Sequence, residues 1–230
     1  LSETGQKYVH VSPGILLDTI GWSEGYVRYR DLLALVARGL KTDPGLLCVM
    51  DGSKGLRKAV QTAFGAQAVV QRCQWHKREN VVAYLAKGQQ ATWRRKLQHA
   101  YERPSYAEAK AALLRCRQEL RLLNESAVKS LDEGFEETLT LHRLGVFGAV
   151  GVSLKTTNCL ESIHALIGHR TAKVTSWRTA DQKHRWLAAA LLDIEPRLRR
   201  IRGYRSLPLL RTALQTEIPG QEGRAEHRAA

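Results

Sequence analysis

No stretch of this 230-residue chain approaches the roughly 18 consecutive apolar residues that a membrane-spanning helix needs. Its start, Leu1-Ser2-Glu3-Thr4, lacks the charged-then-apolar pattern of a secretory signal. It also lacks an initiator Met, as a fragment or an unusual start would. Cysteine is scarce: Cys48, Cys73, Cys116 and Cys159 are widely scattered and read as reduced cytosolic thiols, not a disulfide framework. Acids are short as well, 22 Asp and Glu against 36 Lys and Arg, for a formal charge of +14. An excess of that size draws polyanions, with phosphate contacts supplying sequence-independent affinity. No basic amphipathic anchor with a strong Trp/Phe/Leu face is present, so nucleic acid is a better partner than an acidic membrane. What is there is globular: 43% hydrophobic, 25% charged and 7% aromatic, enough for one sizeable core or a core with a helical satellite.

The apolar run Ile15–Ile20 reads as a strand, and residues 29–40 as a helix with Leu32, Leu33, Leu35, Val36 and Leu40 on one broad face. Thr42-Asp43-Pro44-Gly45 is a turn. Leu46–Met50 is a strand ending at Asp51, residues 53–64 a helix, and residues 66–72 a further strand. Strands alternating with helices at this spacing predict a parallel α/β sheet. From His76 onward the pattern turns helical: residues 76–86, 89–101, 106–122, 125–131 and 135–144, separated by Gly, Pro or Asn. Residues 145–154, apolar and glycine-bearing, read as a loop or a packed crossover. Helices resume over 158–169, 176–192 and 196–203, while residues 219–230 form a tail poor in order-promoting residues.

Three segments concentrate the chemistry. Asp51-Gly52 closes the apolar strand, and a carboxylate there is held at the rim of a sheet, where ligand sites of open α/β folds gather. An ordinary Asp-Gly turn leading to a Ser53 helix cap explains the same residues. Next comes Gln71-Arg72-Cys73-Gln74-Trp75-His76-Lys77-Arg78-Glu79-Asn80, and later Thr156-Thr157-Asn158-Cys159-Leu160-Glu161. Asn158 lies at capping-box spacing from Glu161, while Leu160, Ile163 and Ile167 form an apolar stripe that turns Glu161 toward a neighbouring surface. Cys73-x-x-His76 has no second Cys/His pair of matching spacing, which disfavours structural zinc. Cys73 is expected on the strand, with His76 beginning the next helix.

These segments, in this order, resemble the bacterial mutator-type insertion-sequence transposases. That family's pattern is a strand ending in Asp-Gly, a helix opening Gly-Leu, a Gln-Arg-Cys-x-x-His block and a Thr-Asn-x-x-Glu helix. Gly134-Phe135-Glu136-Glu137-Thr138-Leu139 and the Trp186 helix are similar to its intervening and terminal regions. The resemblance implies a partial ribonuclease-H-like sheet interrupted by an all-helical insertion, with a helical C-terminal part. The corresponding division is 1–86 catalytic core, 87–153 insertion, 154–218 catalytic Glu helix and C-terminal helices, 219–230 disordered tail. It also implies that Asp51 and Glu161 match the second and third acids of an Asp-Asp-Glu set holding Mg²⁺, with Cys73 and His76 close behind them. Two Mg²⁺ ions about 3.5–4 Å apart can activate the attacking oxygen and stabilise the leaving one, and Mg²⁺ prefers carboxylate oxygens.

One departure follows from Gly21-Trp22-Ser23-Glu24-Gly25, the counterpart of a region well downstream of the family's first acid. The matching Asp would fall before Leu1, and Asp18 fits a later strand. The expectation is therefore a truncated DNA transposase lacking its first catalytic Asp, whose intact form performs metal-dependent cleavage and strand transfer of an insertion sequence. The alternative is a non-catalytic nucleic-acid-binding remnant. Expected partners are double-stranded DNA, as element ends and target, and further copies of the chain on DNA, with no membrane; the expected location is the bacterial cytoplasm, nucleoid-associated when bound. Three basic groups are candidates for DNA: Arg94, Arg95 and Lys96; Arg197, Arg199, Arg200 and Arg202 on a C-terminal helix; and His164, His169, Arg170 and Lys173 after Glu161. Arg near aromatic residues suits a phosphate backbone, and a solvated helix face explains each group as well. Trp177 and Trp186 are expected to pack the terminal helices.

Overall fold

The computed structural model describes residues 29–176 and 178–218. The strand expected at Ile15–Ile20, Asp18, the Gly21–Gly25 stretch, Trp177 and the 219–230 tail lie outside the described residues. The described chain is mainly helical, with one two-stranded parallel sheet. Its elements are α1 (Tyr29–Ala37), β1 (Leu46–Met50), α2 (Lys54–Phe64), β2 (Ala68–Arg72), α3 (Gln74–Val82), α4 (Lys87–Tyr101), α5 (Tyr106–Arg121), α6 (Glu125–Asp132), α7 (Thr140–Arg143), α8 (Phe147–Leu154), α9 (Asn158–Thr171), α10 (Ala180–Ile194) and α11 (Leu207–Glu217). They fall into two compact units. The larger holds Thr42–Gly52, Phe64–Thr157 and the described part of Arg202–Ala230; the smaller holds Ser53–Ala63, Asn158–Ile201 and the described part of Leu1–Lys41.

In the larger unit, β1 and β2 pair in register from Leu46 opposite Ala68 to Met50 opposite Arg72. Both strands are most buried at their carboxyl ends, at Met50 and at Gln71 and Arg72. Leu47 and Val69 join a cluster with Leu141, Val146, Val150, Leu210 and Leu214, so α11 returns to cover the sheet. A second core lies among α3 to α6, where Val81, Leu97, Leu113, Leu120, Val128 and Leu131 interlock. Local signals start these helices. Ser105 and Glu108 form a reciprocal capping box on α5, and the Asn124 side chain accepts from Ser126 and Ala127 at the start of α6. In the smaller unit, Ile163 and Ile167 of α9 pack on Leu187, Ala190 and Ile194 of α10, with Leu160 half-buried beside them. The apolar stripe expected on the Glu161 helix is thus its packing face.

Four local expectations are corrected. Residues 145–154 are not a loop: Phe147–Leu154 is helical, because Val146 and Val150 are drawn into the sheet-covering core and tertiary packing overrides glycine's poor propensity. The single helix expected over 135–144 is broken into a 3₁₀ turn, Glu136–Leu139, and the short α7. Its cause is Gln71, whose side chain takes the Leu141 N–H at 2.9 Å and donates to the Thr138 carbonyl at 3.0 Å, displacing helical hydrogen bonds. The helix expected over 196–203 is only a 3₁₀ turn, Glu195–Arg197. Of the two apolar residues after it, Leu198 stays 48% exposed and Ile201 is only half-buried, so little packing favours a helix there. Arg199, Arg200 and Arg202 therefore stand on irregular chain. Finally, Cys73 lies one residue beyond β2, capping α3, which begins at Gln74 rather than His76.

Candidate functional site

The carboxyl edge of the sheet in the larger unit gathers most of the conspicuous sequence motifs. Asp51 follows β1 and is exposed. Gly52, at φ +120°, turns the chain there, and a Cβ on it would lie 2.2 Å from Arg72 Nη2. A Cβ on Gly134, at φ +67°, would lie 2.9 Å from Arg72 Nη1. The Arg72 guanidinium therefore lies between two glycines, one beside the candidate acid and one in the insertion, and both positions need the missing side chain.

Arg72 is 4% exposed. Its Nη2 donates to both carboxylate oxygens of Glu133 at 3.0 Å, and Nη1 lies 3.5 Å from Glu137. Lys77, 1% exposed, donates from Nζ to the Ser130 carbonyl at 2.7 Å, the Glu133 carbonyl at 2.5 Å and the Glu133 carboxylate at 3.1 Å. Burial lowers the Lys77 pKa, opposed by the Glu133 carboxylate. Burial also disfavours the Glu133 anion, but hydrogen bonds from Arg72 and Lys77 outweigh it and hold that carboxyl below its ordinary value. Two cations and two carboxylates thus balance where unpaired charge would be costly. Gln74 adds a hydrogen bond to the Thr138 carbonyl at 2.9 Å. Most of the Gln-Arg-Cys-x-x-His block therefore holds the 133–141 segment to the edge of the sheet.

Its other two members form a separate triangle. Cys73 Sγ lies 3.2 Å from His76 Nδ1, and Thr157 Oγ1 lies 3.3 Å from the same nitrogen and donates to Cys73 Sγ at 3.5 Å. Cys73 is fully buried and its N–H donates to the Met50 carbonyl at 2.8 Å, next to Asp51. Thr157 immediately precedes α9, whose first turn carries the exposed Glu161. Asn158 is itself the first residue of that helix. Asp51 belongs to the larger unit and Glu161 to the smaller. Hard oxygen donors of this kind suit Mg²⁺, yet among the described residues no group of three His, Cys, Asp or Glu converges on one point.

The basic candidates divide. Arg94 is tied to Glu79 at 2.8 Å, Lys96 to Glu119, while Arg95 is exposed. Arg170 and Arg197 share Asp193, at 2.9 and 3.5 Å. These two guanidinium groups hold the Asp193 carboxyl below its ordinary value, Arg170 through its hydrogen bond first. His164, His169, Lys173, Arg199, Arg200 and Arg202 are exposed, and Trp186 remains 43% exposed instead of packing inward. Sequence reasoning missed Lys77, Glu133 and Thr157, and it gave Glu137 no role. The available signal was Glu133-Gly134-x-Glu136-Glu137, a glycine flanked by acids that could answer Arg72 and Lys77.

The chain belongs to the transposases of the Mutator family, whose sequence pattern matches residues 14–198. It is 30% identical over 172 residues to the transposase for insertion sequence element IST2 of Acidithiobacillus ferrooxidans, covering 75% of this chain and 55% of that protein. It is 29% identical over 157 residues to the transposase for insertion sequence element IS6120 of Mycolicibacterium smegmatis, covering 68% and 47%. The chain thus spans about half the length of these curated relatives. No solved structure matches it. Among the described residues no helix is long and apolar enough to cross a membrane.

Proposed function

We propose that this chain is part of the catalytic region of an insertion-sequence transposase that cleaves double-stranded DNA and joins element ends to a target. In this reading the sheet is a fragment of a ribonuclease-H-like core, and Asp51 and Glu161 are two acids of a Mg²⁺-dependent site completed by other residues. The chain's own residues have clearer parts. Arg72, held by Glu133 and Glu137, fixes the turn that carries Asp51, and the Cys73–His76–Thr157 triangle ties the end of β2 to the residue before the Glu161 helix.

The observation that carries the reading is Asp51 at the carboxyl end of a parallel strand in a chain of this family. The test uses the full-length protein that contains this chain, on duplex DNA bearing its element ends, with Mg²⁺ or Mn²⁺. Asp51→Ala and Glu161→Ala should each lower cleavage by about a thousandfold or more, the rate equivalent of about 4 kcal/mol. Cleavage undiminished in either variant refutes the assignment of that acid. No cleavage by the wild-type protein under any of these conditions refutes the activity itself and leaves a DNA-binding role.

A further inference from the structure

Basic residues crowd one end of the α9–α10 hairpin in the smaller unit. Residues 169–185 hold five Lys and Arg against a single acid, Asp181. Arg170 is neutralised by Asp193, but Lys173, Arg178, Lys183 and Arg185 are all exposed and have no carboxylate partner among the described residues. The local fold keeps them together. Ile163 and Ile167 packed on Leu187, Ala190 and Ile194 lock the two helices side by side. Thr179 caps α10 through the Gln182 N–H at 3.1 Å, and the Arg178 N–H donates to the Gln182 side chain at 2.9 Å. Lys173 and Arg178 on the connection and Lys183 and Arg185 at the start of α10 repel one another, and Lys183 stands near a helix start, where cations are disfavoured. An external polyanion relieves both costs.

Helices α3 to α6 of the larger unit pair more of their charge internally. Arg78 and Arg94 pair with Glu79, Lys96 with Glu119, Lys110 with Glu136 and Arg117 with Asp132. These helices answer part of their charge from within, while Lys87, Arg95, Arg103, Arg115, Arg121 and Lys129 stay exposed but spread over α4, α5, α6 and the α4–α5 connection.

We propose that the connecting end of the α9–α10 hairpin, through Lys173, Arg178, Lys183 and Arg185, is the surface on which this chain takes up the phosphate backbone of double-stranded DNA. The choice of duplex DNA rests on the transposase reading; the choice of surface rests on the unpaired charge. Binding of the 230-residue chain to a labelled duplex of about 30 base pairs tests it, with salt varied from about 50 to about 200 mM. Replacing all four residues by Gln should reduce affinity at least about tenfold. The slope of log K against log salt should flatten by about 0.9 for each phosphate that the variant no longer neutralises. Changing Arg94, Arg95 and Lys96 to Gln should leave affinity within about twofold. Arg178→Lys with Arg185→Lys, which keeps the charge, should bind like wild type and so separates charge from misfolding.

An unchanged slope in the four-residue variant overturns the surface assignment and leaves the transposase reading standing. So does an equal loss in the Arg94–Lys96 variant. A preference of about tenfold or more for duplex RNA of the same length overturns DNA as the occupant. Salt-steep binding through the hairpin, together with failed cleavage by the full-length protein, supports the surface and sinks the transposase activity alone.

Discussion

In the larger unit, the described residues include eighteen Lys and Arg against twelve Asp and Glu; in the smaller unit the figures are fourteen against five. Nine cations of the larger unit, Arg72, Lys77, Arg78, Arg94, Lys96, Lys110, Arg117, Arg143 and Lys155, sit in ion pairs inside it. In the smaller unit Arg170 and Arg197 share one carboxylate, while Lys173, Arg178, Lys183 and Arg185 stay exposed. One basic sequence therefore uses its charge in two ways. In the larger unit half of the basic residues are tied into ion pairs, two of them buried; in the smaller unit the cluster at Lys173, Arg178, Lys183 and Arg185 stays on the surface. Exposed ion pairs stabilise little, but they cancel local potential, so the number of Arg residues in a helix does not by itself locate a DNA surface.

The sharpest way to break this contrast is to remove Arg72. Arg72→Met leaves Glu133 and Glu137 without their guanidinium and Gly52 and Gly134 without the group they enclose. Removing one partner of a fully buried pair costs about 3–5 kcal/mol. With Glu133 45% exposed and still held by Lys77 the loss should be smaller, read as a lower midpoint in urea unfolding; an unchanged midpoint would mean that the network is not structural. Leu113→Ala in the fully packed insertion core should cost about 3 kcal/mol. Ile167→Ala in the two-helix core should cost less, because its side chain retains some exposure, and the reverse order would contradict the packing assigned to the two units.

A smaller effect lies along the pH axis. His142 is buried and stacked on Phe147, with ring centroids 3.6 Å apart, and burial lowers its pKa against the hydrogen bond to the Arg103 carbonyl. A depressed folded value means that stability is present above the unfolded value near 6.5 and declines as pH falls from there toward the folded value. Thermal unfolding followed from neutral to mildly acidic pH should show that decline, and His142→Phe should flatten it. Smallest of all, Lys183→Gln should change stability by less than about 0.5 kcal/mol, since nothing in the smaller unit's fold depends on that charge. A larger loss would make Lys183 an architectural cation like those of the other unit.

Legibility followed the range of the interactions. β1, β2, the turn at Asp51 and the insertion helices were readable because apolar period, strand length and Gly, Pro or Asn breaks are local signals. The Ser53 cap was readable too, and its hydroxyl accepts from the Leu56 N–H at 3.3 Å. Failures came where distant residues intrude. Gln71 breaks the 135–144 helix from 70 residues away, and the sheet-covering core winds 147–154 into a helix that its glycines would not form alone. Of the candidate site, Asp51, Cys73 and His76 were readable as a neighbourhood by resemblance. The burial of Arg72 and Lys77 was not, since a run such as Gln71-Arg72-x-x-x-x-Lys77 reads as solvated surface until its partners are known.

The enclosure of Arg72 between Gly52 and Gly134 also sets a timetable. Glu133 follows Arg72 by 61 residues, so at about 5–20 residues per second of synthesis the strand pair precedes its counter-ion by about 3–12 s. Over that interval Arg72 and Lys77 have nothing with which to enter the interior, and the edge of the sheet beside Asp51 stays open. Emergence of the 133–137 segment closes it. Premature termination anywhere before Glu133 would therefore leave a product whose Asp51 turn was never locked, however complete its two strands.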